Sequence, residues 1–197
     1  MLNLPRFKAA AVQAAPAFLD PVATVDKAAS LIREAAANGA ALVAFPEVFV
    51  AGYPYWSWIV DPVAGSAWFE KLVRASIMVP GPEVDQLCTV AREAGVHVVI
   101  GVNERSPVAL GTLYNTMLFI GPDGGILGKH RKLVPTWAGK LAWAHGDGAR
   151  PTPEAVPHDG TPARPVRAPP RADGRARPAA PHRHARDRPA LRPASAG

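Results

Sequence analysis

No aromatic residue follows Trp143 in this chain of 197 residues, and beyond it the larger aliphatics are Val156, Val166 and Leu191 alone. A hydrophobic core must therefore be drawn from residues 1–148, because burial of apolar side chains is what offsets the entropy lost on ordering a chain. From about Ala149 the composition turns to Ala, Arg, Pro, Gly and His without any period, as in the run from Arg164 to Arg171. Proline lacks the amide hydrogen that helices and sheets use, and a segment this poor in apolar residues buries too little to fold, so 149–197 is expected to be a disordered tail. Ala, Arg, Pro and Gly also share GC-rich codons. An out-of-frame reading of a GC-rich gene, or a gene-model error, is therefore a hypothesis for the tail's origin. A parent nucleotide sequence with no core-like translation in the alternative frames would rule it out.

Charge divides at the same place. Residues 150–197 hold ten Arg and four acids, which leaves twelve charges of each sign before them and puts the whole net charge of +6 in the tail. A sequence pI near 9.9 ordinarily suggests a polyanionic partner, but this basic segment has no aromatic residue to stack on a base, so no specific nucleic-acid binding is expected. A non-enzymatic protein whose Arg-rich tail holds polyanions is the alternative in another class, and an interaction subunit docking on an intact homologue is a third. No apolar run approaches the roughly 18–20 residues of a membrane span. The start, Met1 to Pro5, lacks the apolar centre of a secretion signal, and the single Cys88 excludes an intramolecular disulfide. A soluble cytoplasmic protein without membrane contact is expected.

Within 1–148 the order is strand, helix, strand, helix, helix, strand, hairpin, which indicates a mixed α/β domain with helices covering a sheet. Residues 7–13 read as a strand. Asp20 and Pro21 open a helix in which Val22, Val25, Ala29, Ile32 and Ala36 recur at helical spacing until Gly39 ends it. Residues 41–45, bounded by Gly39 and Pro46, form the continuous apolar run of a strand buried on both faces. Residues 66–77 and 82–94 read as helices and 96–100 as a strand. Residues 113–120 and 125–129 flank the turn Gly121-Pro122-Asp123-Gly124.

Glu47 stands where the 41–45 strand ends, a position at which a rigid sheet aims side chains into an open crevice; the plainer reading is an acid in a surface loop. Lys129-His130-Arg131-Lys132 by itself reads as a solvated loop or an anion patch. Cys88 falls in the 82–94 helix on the face of Val84, Leu87 and Ala91. That makes it a small buried hydrophobe rather than a nucleophile.

Taken together, the stretch from Gly39 to Pro54, with Phe45-Pro46-Glu47 and Gly52-Tyr53-Pro54, and the later stretch from Gly128 to Thr136 resemble two signatures of the nitrilase family of carbon–nitrogen hydrolases. Tyr114-Asn115-Thr116 and the Gly-Pro-Asp-Gly turn fall between them as that family expects, and the Gly-Tyr-Pro-Tyr-Trp run looks closer to nitrilases than to the amidase branch. The resemblance runs from about Phe7 to Gly148. It implies part of an α-β-β-α sandwich, Glu47 and Lys132 as catalytic residues beside a cysteine nucleophile, Tyr53 near the substrate pocket, and hydrolysis of a small nitrile to a carboxylic acid and ammonia. No metal and no organic cofactor are implied. Cyanide hydratases and amidases are the alternatives within the family, and the completed protein is expected to be a homo-oligomer.

The chain departs from the family in three ways. A Cys-Trp-Glu turn is expected some thirty residues beyond the lysine, and residues 162–171 contain no Cys, no Trp and no apolar strand. The Glu-Arg pair expected after Pro135-Thr136 is replaced by Gly139-Lys140. The family is also about twice as long as the matching part, so a fragment exposing apolar sheet faces, poorly soluble when 1–148 is expressed alone and inactive for want of the thiol, is the expectation.

Overall fold

The computed structural model describes residues 6–148; the expected disordered tail over 149–197 lies outside the described residues. Five strands form one sheet in sequence order: β1 (Ala9–Ala11), β2 (Leu42–Ala44), β3 (His97–Arg105), β4 (Leu113–Ile120) and β5 (Ile126–Arg131). The first three run parallel and the last two antiparallel to their neighbours. Parallel neighbours need long crossovers. These are supplied by α1 (Pro21–Ala37) between β1 and β2, and by α2 (Ser66–Ala75) and α3 (Pro82–Ala94) between β2 and β3.

The helix ends follow from local chemistry. The Asp20 carboxylate accepts from the Ala23 amide at 3.0 Å, Pro21 occupies the first turn where no amide hydrogen is needed, and Gly39 takes the positive φ of 81° beyond the C-terminus. In α3, Pro82 opens the helix and Gly95 closes it at φ 64°. The β4–β5 turn closes with the Gly124 amide donating to the Gly121 carbonyl at 2.9 Å.

Helices α1 and α3 pack on each other and on one face of the sheet. Val25 and Ile32 of α1, Val84 and Leu87 of α3, Val98, Ile100 and Val102 of β3, and Leu118 and Ile120 of β4 form the buried core. Each side chain of this size contributes about 1.5–3 kcal/mol on full burial. Because strand side chains alternate between faces, the odd-numbered positions Gly101, Asn103 and Asn115 belong to the opposite face, where Met117 is 42% exposed. A second cluster, including Val48, Trp56, Leu72, Leu113 and Trp143, closes one end of the domain.

Several sequence expectations shift. β1 is limited to Ala9–Ala11 within the expected 7–13. α2 ends at Ala75, and Ile77 instead bridges the backbone of Glu104. β3 continues five residues past the expected end at Ile100, because the polar Asn103 and Glu104 find partners inside the fold. β5 runs to Arg131, so Lys129, His130 and Arg131 are strand residues and not a solvated loop. His130 pairs with Met117 across the ladder, which corrects its reading as a loop histidine.

Candidate active site

Glu47 sits on a turn that interrupts the pairing of β2 with β3. Ala44 pairs with Val99 and, after the turn, Val50 bridges Val102, so residues 45–49 cover a stretch in which β3 advances far less. The surplus chain bulges from the sheet and carries Glu47 on it. Phe45 and Phe49, with ring centroids 5.1 Å apart, pack beneath it in the main core.

Lys132 immediately follows β5. Its Nζ donates to Glu47 Oε1 at 2.7 Å, and Asn115 Nδ2 donates to the same oxygen at 2.7 Å. Asn115 also fixes the lysine through the main chain, since its carbonyl accepts from the Lys132 amide at 2.8 Å. One strand residue thus touches both ends of the pair. Burial pushes the Glu47 carboxyl up, but the bonds from Lys132 and Asn115 and the lysine charge outweigh it and hold the group below the ordinary glutamate range. The Lys132 and Glu47 side chains remain 36% and 47% exposed. An ion pair this open contributes little to stability, so stability does not account for two side chains 85 residues apart in sequence meeting here.

Tyr53, six residues beyond Glu47, lies in an aromatic group that packs against the second cluster. Its ring meets Trp143 edge-on with centroids 5.5 Å apart and lies 5.0 Å from Tyr55, and its hydroxyl accepts from Trp58 Nε1 at 3.4 Å. A cleft of about 190 Å³, lined in part by Trp56, Val60, Phe69 and Leu141, opens in the same part of the molecule.

Three further observations bear on the sequence reading. Cys88 is half-buried against the helix–sheet core, where burial and Asp85 push its thiol up; α3 covers the face of the sheet opposite Asn115, which holds Glu47. Lys129 and Arg131 turn to the helix-covered face and bind the buried carboxylate of Glu104, Lys129 Nζ at 2.6 Å and the guanidinium at 2.6 and 2.9 Å, with Thr116 Oγ1 donating at 2.7 Å. Gly139 occupies a short 3-10 turn, Trp137–Leu141, where an added Cβ would lie 3.0 Å from the Trp143 ring. The indole fills the room that a longer residue there would use.

The sequence marks Asn115 only as part of the Tyr114-Asn115-Thr116 stretch of the family resemblance and gives Glu104 no role. A polar residue on a strand, flanked by Tyr114 and Thr116 in one case and by Asn103 and Arg105 in the other, does not say which side chain it meets.

Residues 8–154 match the Carbon-nitrogen hydrolase family. The chain belongs to that family. Among its relatives, a nitrilase from Bacillus sp. (strain OxB-1) is 42% identical over 149 residues, which is 76% of this chain and 43% of the relative. An aliphatic nitrilase from Rhodococcus rhodochrous is 44% identical over 144 residues, covering 73% of this chain and 38% of the relative. The chain thus spans less than half the length of these relatives. Its fold is similar to a crystal structure of an amidase from Nesterenkonia sp., with a TM-score of 0.53, 20% identity, and coverage of 73% of this chain and 49% of that one. The expected mixed α/β class and the nitrilase resemblance both hold. Among the described residues no helix is long and apolar enough to cross a membrane.

Proposed function

We propose that Glu47 and Lys132 are the base and the charge-stabilising ammonium of a carbon–nitrogen hydrolase site whose substrate is a small nitrile. The observation that carries this reading is the contact of Lys132 with Glu47 at 2.7 Å, with Asn115 bonded to the same oxygen. The nitrile preference is supported by relatives that are named nitrilases.

A nitrile carbon is a weak electrophile, so water alone attacks it slowly and a thiolate is the suitable nucleophile. In this scheme the Glu47 carboxylate takes the thiol proton as sulfur bonds to the nitrile carbon, giving a thioimidate. Glu47 then directs a water to that carbon, ammonia leaves with the proton it needs, and a second water releases the carboxylic acid and restores the thiol. Lys132 stabilises the negative charge that builds up in each tetrahedral stage. The Glu47 carboxylate is ionised at neutral pH and free to take a proton. Because the bonds that lower its pKa also weaken it as a base, its contribution rests on placement beside the reacting atoms. Neither a metal nor an organic cofactor enters the scheme.

The sulfur is the missing part. Cys88, the one cysteine of the sequence, lies on the wrong side of the sheet. The 197-residue protein is therefore expected to release no ammonia from aliphatic or aromatic nitriles above a buffer control, measured by a coupled ammonia assay over hours. Ammonia release that disappears in Glu47→Gln would show that a nucleophile is available after all.

A further inference from the structure

The Glu47 turn has no room to lie where it does unless β3 gives way to it. A Cβ added at Gly101 would fall against the Val48 backbone nitrogen, 2.6 Å from the Pro46 carbonyl oxygen and 2.9 Å from the Glu47 carbonyl carbon. All three are main-chain atoms around the Glu47 Cα, and unlike the tip of a side chain they cannot swing aside. Nor does the turn keep its shape unaided, because Val48 has φ 42°. A β-branched residue in the left-handed region is strained and persists only where its surroundings impose it.

The surroundings that impose it are also on β3. The Val50 amide donates to the Gly101 carbonyl at 3.1 Å, and the Asn103 amide donates to the Val50 carbonyl at 3.2 Å. The fully buried Asn103 side chain donates to the Val50 carbonyl at 3.1 Å and to the Gly52 carbonyl at 2.9 Å. Its remaining oxygen accepts from Trp143 Nε1 at 2.8 Å, and Trp143 belongs to the segment that follows Lys132. Positions 101 and 103 share one face of the strand, as a two-residue period requires.

We propose that Gly101 and Asn103 are positioning residues for the Glu47–Lys132 pair: Gly101 provides the space in which the Glu47 turn sits, and Asn103 fastens that turn and ties it to the segment after Lys132. This rests on the reading of Glu47 and Lys132 as the working pair, but its test reads the geometry of the pair and not turnover, so the two can fail separately.

The test is carboxyl-carbon NMR of the full 197-residue chain labelled at glutamate, titrated as wild type, Gly101→Ala and Asn103→Ala. In the wild type Glu47 titrates below the ordinary glutamate range. In Gly101→Ala its midpoint moves up toward that range, because a displaced turn loses the bonds from Lys132 and Asn115. Glu104 lies on the same strand but bonds to β5 from the other face, so it stays depressed. That contrast separates a local role from general loosening. If Gly101→Ala does not fold, Asn103→Ala decides: it leaves space for a water to serve the Val50 and Gly52 carbonyls, and Glu47 again moves up while Glu104 does not. A folded variant with Glu47 unmoved, or one in which Glu47 and Glu104 rise together, overturns the proposal.

Discussion

Glu104→Gln is expected to lower the unfolding free energy at neutral pH by about 3–5 kcal/mol, the usual effect of removing one member of a buried ion pair. The Glu104 carboxylate is 1% exposed and accepts from Lys129, Arg131 and Thr116. Arg131 is itself 14% exposed and stacks over Tyr114 at 3.9 Å, so after the substitution its charge stays near the interior with only the half-exposed Asp147, 2.9 Å away, as a carboxylate partner in place of the buried Glu104. The Glu70–Arg74 pair on α2 makes the contrast. Its side chains are 65% and 77% exposed, and Glu70→Gln is expected to change stability by well under about 1 kcal/mol. Urea denaturation of the three proteins checks this, and a Glu104→Gln effect no larger than that of Glu70→Gln would contradict it.

The same carboxylate sets a pH dependence. Burial pushes Glu104 up, but the bonds from Arg131, Lys129 and Thr116 outweigh it and hold the folded-state pKa below the ordinary value of 4.5. A depressed carboxylate contributes stability that is fully present above the unfolded pKa and is lost as pH falls through the folded one. The destabilisation by Glu104→Gln should therefore be complete at neutral pH and shrink in acid below the ordinary glutamate range.

Trp143→Ala is the second large effect, expected to cost about 3–5 kcal/mol. The indole is 4% exposed, packs in the second cluster with Val48, Trp56 and Leu72, and donates to Asn103 Oδ1 at 2.8 Å. Its removal opens a cavity and leaves a buried amide oxygen without its donor. Trp143→Phe keeps a six-membered aromatic ring but loses that bond and the pyrrole part of the indole, so it should cost about 1–3 kcal/mol. Equal midpoints for Trp143→Ala and wild type in urea would show that the second cluster carries no such load.

How much of this was legible in the sequence depended on whether the signal was local. Asp20, Pro21 and Gly39 announced α1 because caps act within one turn of chain, and the Gly121–Gly124 turn was equally readable. The strand at 42–44 stood out as an apolar run, with Glu47 just beyond its end. The extension of β3 was hidden, because Asn103 and Glu104 look like solvent residues until distant segments supply their partners: β4 and β5, 12 to 27 positions away, for Glu104, and Val50, Gly52 and Trp143, 40 to 53 positions away, for Asn103. For the same reason the basic run at 129–132 divides unexpectedly. Lys129 and Arg131 go to one face, to Glu104, while Lys132, one position later, goes to Glu47. Alternation along a strand dictates that split, and a single sequence without its pairing register does not reveal it. Asn115 stands out in the sequence only within Tyr114-Asn115-Thr116, and its bond to Glu47, 68 positions away, is hidden on the same account.

The Glu47–Lys132 pair is most directly tested by giving it a nucleophile. Residues 1–148 joined to the C-terminal half of the Bacillus nitrilase, which is 42% identical over the shared part, should release ammonia from a small nitrile, and Glu47→Gln or Lys132→Met in that chimera should reduce the rate by about 10²–10⁴-fold. A folded chimera that turns over nitrile equally well with Glu47→Gln would contradict the assignment of this pair as the working half of the site.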